Sequence, residues 1–255
     1  MAFMTIKRYS ASLHRVTSFE MFIPNDLRTD VTPLNGYQQG PMRTLFLLHG
    51  YTGAPESWGV ENLAAQYNVA LVMPSGENSF WLDGEATGRK FAAYLGEELP
   101  AYLNQTFGLC RSREDTGICG LSMGGFGALH TGLSYPERFG QIGAMSSALI
   151  VHEIAHMKPG EDNGMANYAY YRECFGDLEH LEGSPNDPES LVHCQPAPKM
   201  FICCGTEDFL LENNRAFHRF LEKEGVPHVY QESPGSHDWK FWGEYTPKIL
   251  EWMWK

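Results

Sequence analysis

Gly120-Leu121-Ser122-Met123-Gly124 is a G-x-S-x-G pentapeptide approached through the apolar residues Gly117-Ile118-Cys119. Set between a strand and a helix, this pattern places a serine on a tight turn, with its hydroxyl exposed and the next backbone N–H free to bind an oxyanion. The hydroxyl becomes a nucleophile only when a histidine removes its proton and a carboxylate orients that histidine. Two later loops carry those residue types. Asp208 lies in Gly205-Thr206-Glu207-Asp208-Phe209, behind the apolar run Phe201-Ile202-Cys203-Cys204, and His237 lies in Gly235-Ser236-His237-Asp238-Trp239. Asp208 follows Ser122 by 86 residues and His237 follows Asp208 by 29, which leaves room for the strands and helices between them. Glu207 and Asp238 are the competing acids, and the place of Asp208 in its loop favours it. The N–H of Met123 is the first expected oxyanion donor. The second is expected from Tyr51, in the loop His49-Gly50-Tyr51-Thr52-Gly53 that follows the first buried strand.

The elements that must position these groups are legible as alternating strands and helices. Val16–Ile23 alternates in the manner of an antiparallel edge strand, and Thr44–Leu48 is a continuous apolar run of buried-strand type. A helix is expected over Ser57–Tyr67, a strand over Val69–Met73, and a helix within Gly88–Phe107. Strands follow at Thr116–Cys119, Ile142–Ser147, Met200–Cys204 and Val229–Gln231, with a helix opening near Gly125 and another at the C-terminal end. Such alternation implies a mostly parallel sheet covered by helices on both faces, with the site along the edge formed by the strand C-termini. Trp81, just past a strand end, is expected to line the acyl or alcohol pocket. Residues 149–197 break the rhythm with polar residues, Gly and Pro and a cluster at Tyr168, Tyr170 and Tyr171. They read as a small cap-like insertion over the site within one domain spanning 1–255.

Hydrophobic residues make up 43% of the 255, enough for a sizeable core. A net charge of −12 argues against nucleic acid or an anionic membrane as a partner. The N-terminal residues Met1–Arg8 lack the apolar core of a signal peptide, and no run reaches membrane-spanning length. The six cysteines show no disulfide or zinc spacing. A cytoplasmic protein with reduced thiols is the expectation.

Taken together, the motifs resemble the esterase D-type branch of the α/β-hydrolases, and within it the tributyrin esterase-like carboxylesterases. The resemblance covers nearly the whole chain. It rests on Leu47-Leu48-His49-Gly50, Gly120-Leu121-Ser122-Met123-Gly124-Gly125, Phe175-Gly176-Asp177-Leu178 and Gly235-Ser236-His237-Asp238-Trp239. It implies an α/β-hydrolase fold and hydrolysis of short-chain acyl esters. Ser122, Asp208 and His237 would form the triad, with Met123 and Tyr51 as oxyanion donors. No cofactor is implied; a small-molecule ester is the expected partner, and a homo-oligomer fits the family. Feruloyl or acetyl-xylan esterases, S-formylglutathione hydrolases and acyltransferases share the fold. The loop His49–Gly53 lacks the cysteine-containing turn associated with S-formylglutathione hydrolases.

One competing signal remains. His152-Glu153-Ile154-Ala155-His156 matches H-E-x-x-H, which on a helix sets two imidazoles one turn apart for zinc with the glutamate as base. No third ligand is marked by spacing, so no metal site is assigned. A zinc hydrolase using His152, Glu153 and His156 is the minor alternative.

Overall fold

In a computed structural model, residues 2–24 and 35–254 are described. They form an eight-stranded sheet: β1 (Ala2–Ser10), β2 (Arg15–Ile23), β3 (Arg43–Leu48), β4 (Val69–Pro74), β5 (Thr116–Leu121), β6 (Gln141–Met145), β7 (Lys199–Gly205) and β8 (Val229–Ser233). The spatial order is β1-β2-β4-β3-β5-β6-β7-β8. The β1–β2 and β2–β4 pairs are antiparallel and every other pair is parallel. The expected edge strand is therefore β2, one place in from the edge, with β1 outside it.

The parallel strands are apolar throughout because both of their faces are covered. Leu45 and Leu47 of β3 point into one core layer, together with Cys119, Leu121, Ile249 and Leu250. Phe46 and Leu48 point into the other, with Ile118, Phe126, Leu129 and Ile142. The first layer lies under α1 (Glu61–Tyr67) and α8 (Trp239–Met253), the second under α4 (Met123–Ser134) and α7 (Leu211–Lys223). Among the described residues no helix is long and apolar enough to cross a membrane.

Three boundaries differ from the sequence expectation, each for a local reason. Gly59 has φ +55, so the expected 57–67 helix begins only at Glu61. Strand β6 stops at Met145 because Ser146 has φ +46. The expected 88–107 helix runs as α2 (Phe91–Ala93), a π-helical turn at Tyr94–Glu98 and α3 (Leu99–Phe107). Pro100 has no N–H to complete a regular ladder at that point, and the wider turn absorbs the mismatch.

This turn also anchors the N-terminal hairpin. The Glu98 carboxylate accepts hydrogen bonds from Arg8 Nη1 at 2.7 Å, Ser10 Oγ at 2.9 Å, and the N–H groups of Ala11 and Ser12 at 3.3 and 2.9 Å. Burial alone would raise its pKa, but these donors outweigh burial and hold it below the ordinary value. A depressed carboxylate contributes stability that is present above the unfolded pKa and lost as pH falls through the folded one. Glu98→Gln should therefore destabilise the protein by about 1–3 kcal/mol near neutral pH, since its amide sets N–H against N–H. In urea titrations the gap from wild type should narrow as pH falls below the ordinary carboxylate range; a gap independent of pH would refute the assignment.

Candidate active site

Ser122 sits between β5 and α4 with φ 57 and ψ −121, a conformation costly for any residue with a side chain. Its N–H is held by Met145 O at 2.9 Å, and its carbonyl accepts from Phe126 and Ala148. The flanking glycines are required by contact. A Cβ on Gly120 would overlap the carbonyl of Gly124, and one on Gly124 would overlap the carbonyl oxygens of Leu48 and His49. A Cβ on Gly50 would lie 3.2 Å from Ser122 Cβ. The ends of β3 and β5 are thus pressed together, which brings the 49–53 loop beside the serine.

The three sequence-selected residues converge. His237 Nε2 lies 2.9 Å from Ser122 Oγ, and His237 Nδ1 lies 2.9 and 3.1 Å from Asp208 Oδ2 and Oδ1. A carboxylate only accepts, so Nδ1 carries the proton and Nε2 is free to accept the serine's. The Asp208 side chain is wholly buried. Burial pushes its pKa up, but hydrogen bonds from His237, Leu210 N–H and Ser146 more than offset this, and the carboxyl is held below its ordinary value. It stays ionised beside the imidazole. The competing acids are committed elsewhere: Glu207 accepts from Gly235 N–H and Thr206 Oγ1, and Asp238 caps α8 through the N–H groups of Lys240 and Phe241.

The two expected oxyanion donors also adjoin the serine. Met123 opens α4, where the first N–H groups have no helical acceptor. Tyr51 follows Gly50, whose carbonyl accepts from His49 Nδ1 at 2.8 Å and Gly53 N at 3.0 Å. In a trans peptide the N–H points opposite to the carbonyl, so those bonds turn the Tyr51 N–H away from the loop interior. Among the described residues neither amide is given to a backbone carbonyl. His49 Nε2 accepts from Gly76 N–H at 3.0 Å, and burial lowers the pKa of His49 against the opposing bond to Gly50. A neutral ring with its proton on Nδ1 locks this loop. The sequence marked this loop for the Tyr51 donor but assigned no role to the His49 ring.

A cavity of about 200 Å³ opens on Ser122, walled by Tyr51, Phe80, Ile150, Met165, Tyr171 and Phe209. Trp81 is not among its lining residues. It is wholly buried, with its indole N–H directed to His49 O at 3.3 Å. Its neighbour Phe80 lines the cavity instead, so that expectation was off by one residue. The H-E-x-x-H stretch does not build a metal centre. Its helix α5 spans only Val151–Ile154; His152 lies between Glu182 and Glu189, and Glu153 accepts from Asn213. Among the described residues no three His, Cys, Asp or Glu side chains are grouped to hold a metal ion.

A parallel sheet in this strand order, carrying a serine elbow and an acid–histidine pair on the loops after β7 and β8, defines an α/β-hydrolase. The family described as "Putative esterase" matches residues 10–253, and the chain belongs to it. It is 41% identical over 262 residues to an acetyl esterase of Caldicellulosiruptor saccharolyticus, covering 99% of this chain and 98% of that one. Among solved structures it resembles an S-formylglutathione hydrolase of Staphylococcus aureus (TM-score 0.81, 24% identity, 100% and 99% covered). It likewise resembles the fluorophosphonate-binding serine hydrolase F of the same organism (TM-score 0.83, 23% identity, 100% and 98% covered). The esterase D-type resemblance and the α/β-hydrolase fold read from the motifs are thereby shown, and the chain is an enzyme acting on ester bonds.

The elbow's close packing has a direct consequence. Gly124→Ala places a methyl against two backbone carbonyls that no rotamer change can clear. It should cost about 1–3 kcal/mol or more and displace the serine. Thermal unfolding and ester hydrolysis should both suffer; unchanged values in both would contradict this packing.

Proposed function

We propose that this protein is a serine carboxylesterase that hydrolyses short-chain acyl esters through an acyl-enzyme on Ser122. The observation that carries the reading is the unbroken chain Asp208–His237–Ser122, with each link at 2.9 Å at its shortest. Ser122 Oγ attacks the ester carbonyl as its proton passes to His237 Nε2. The Nδ1–H bond to Asp208 fixes the tautomer that can receive it and stabilises the imidazolium. The N–H groups of Met123 and Tyr51 receive the oxyanion. The tetrahedral intermediate then collapses, and the proton on Nε2 goes to the departing alcohol. Water repeats the sequence on the acyl-enzyme: His237 takes its proton, the acid leaves, and Ser122 regains its hydrogen.

The size of the cavity supports a small acyl group, as does the relative named an acetyl esterase. In this reading the chain works as one domain, and residues 149–197 supply a wall of the site through Asn163, Met165 and Tyr171. Six free cysteines accord with a reducing cytoplasmic setting. Burial pushes the thiols of Cys119 and Cys204 up to about 12, so both are inert at neutral pH.

Ser122→Ala should lower p-nitrophenyl acetate turnover by at least about a thousandfold, with the folding transition kept within a few degrees of wild type. Retained turnover in the pure variant would remove Ser122 from the mechanism. Prolonged dialysis of wild type against a chelator should leave the rate unchanged. A loss restored by zinc would instead revive the His152–His156 alternative.

A further inference from the structure

The cavity on Ser122 holds a polar group whose hydrogen bonding is incomplete. Tyr171, on α6 (Tyr168–Phe175), is buried to 1% exposure, its ring wedged among Phe80, Tyr170 and Phe175. Its hydroxyl meets the Asn163 amide, 3.1 Å from Nδ2 and 3.3 Å from Oδ1. Asn163 closes a turn in which Oδ1 already accepts the N–H groups of Met165 and Ala166, each at 3.1 Å. Those two donors fix which way the amide faces and occupy both lone pairs of its oxygen. Nδ2 therefore donates to the Tyr171 oxygen. The phenolic proton is left with a longer contact to an oxygen that two better-placed donors hold.

Both residues line the same cavity as Ser122. Three other polar side chains share that wall: Asn213 Nδ2 donates to Leu149 O at 3.2 Å and to Glu153 Oε1 at 2.7 Å, and Tyr51 carries a second hydroxyl. Phe80, Ala148, Ile150 and Leu210 add apolar lining near the serine. A ligand atom entering against Tyr171 thus meets its O–H beside the Phe80 ring, where an acceptor is rewarded and a methylene is not.

We propose that Tyr171 is a specificity-determining residue: its O–H, set by Asn163, donates to an ether or hydroxyl oxygen that the substrate carries a few bonds from the scissile carbonyl. This rests on Ser122 being the esterase nucleophile. The preferred esters are then oxygenated ones rather than plain alkyl esters of the same size.

The test uses two isosteric pairs in which CH₂ replaces an ether oxygen. p-Nitrophenyl methoxyacetate against p-nitrophenyl butanoate probes the acyl arm, and 2-methoxyethyl acetate against butyl acetate probes the alcohol arm. For each ester kcat/KM of Tyr171→Phe is divided by that of wild type, so intrinsic reactivity cancels. In one pair the ether should lose roughly five- to thirtyfold, and the pair affected identifies the arm. Its hydrocarbon partner and p-nitrophenyl acetate should lose several-fold less, so the readout is the ratio of the ether loss to the hydrocarbon loss. Asn163→Asp keeps an oxygen for the turn but captures the phenolic proton, and should reproduce the selective loss even if the tyrosine variant folds poorly. Equal losses on ether and hydrocarbon, or no loss on either ether, would overturn the proposal. Wild type inert on p-nitrophenyl acetate would instead sink the parent esterase reading.

Discussion

Everything at this site depends on one strained residue held by its neighbours. Ser122 adopts φ 57 and ψ −121, which costs of order 1–3 kcal/mol and persists only where the surroundings leave no alternative. They leave none. The N–H and carbonyl of Ser122 are bonded to Met145, Phe126 and Ala148, and α4 starts so close to β5 and β3 that only hydrogen fits at Gly120 and Gly124. Relaxing the serine would pull β5 from β3 and α4 from both. The same closeness sets the Gly50–Tyr51 peptide beside Ser122, so the proposed nucleophile and oxyanion donors share one cause.

Electrostatics then decide which acid serves. Three acidic residues lie within reach of the two loops, but two already have backbone donors: Glu207 is tied to Gly235, and Asp238 to the first turn of α8. Asp208 alone combines complete burial with a bond to the imidazole. Burial would favour its neutral form, and the surrounding donors reverse that balance. Ser146 takes part from the far side, where it also receives the indole N–H of Trp242 at 3.1 Å. Trp242 in turn meets the His237 ring edge-on at 4.9 Å. Asp208 and His237 are thereby braced by a shared indole.

Much of this was legible in the sequence because the signals were local. The buried strands announced themselves as apolar runs, the elbow and the acid each followed one, and the histidine followed the short strand at Val229, so chain order and sheet geometry agreed. Element ends were less legible where a left-handed residue other than glycine ended them, as at Ser146, since serine carries no such mark. The cavity walls were the least legible. Tyr171 and Asn163 belong to the irregular 149–197 segment, and their meeting with Phe80 across more than eighty residues has no periodic signature. The H-E-x-x-H match, held only as a minor alternative, lacks the helix it needs, which ends after Ile154.

The step from Phe80 to Trp81 shows how the interior shapes the cavity. Both residues have positive φ, at +51 and +60, so two adjacent aromatic side chains sit in a region aromatic residues avoid. At about 1–3 kcal/mol each, the strain totals a few kcal/mol. Burying an indole of up to about 250 Å² returns roughly 6 kcal/mol at 25 cal/mol per Å². Trp81 claims that burial against Gly76 and Gly127, where any side chain would overlap its ring. Its indole N–H meets His49 O, and the hydroxyl of Ser79 bonds Gly76 O at 2.6 Å and Trp81 N at 3.0 Å to hold the turn. With Trp81 fixed inward, Phe80 is turned to the other side, onto Tyr171 and the cavity. The wall of the cavity is thus set by a residue that does not line it.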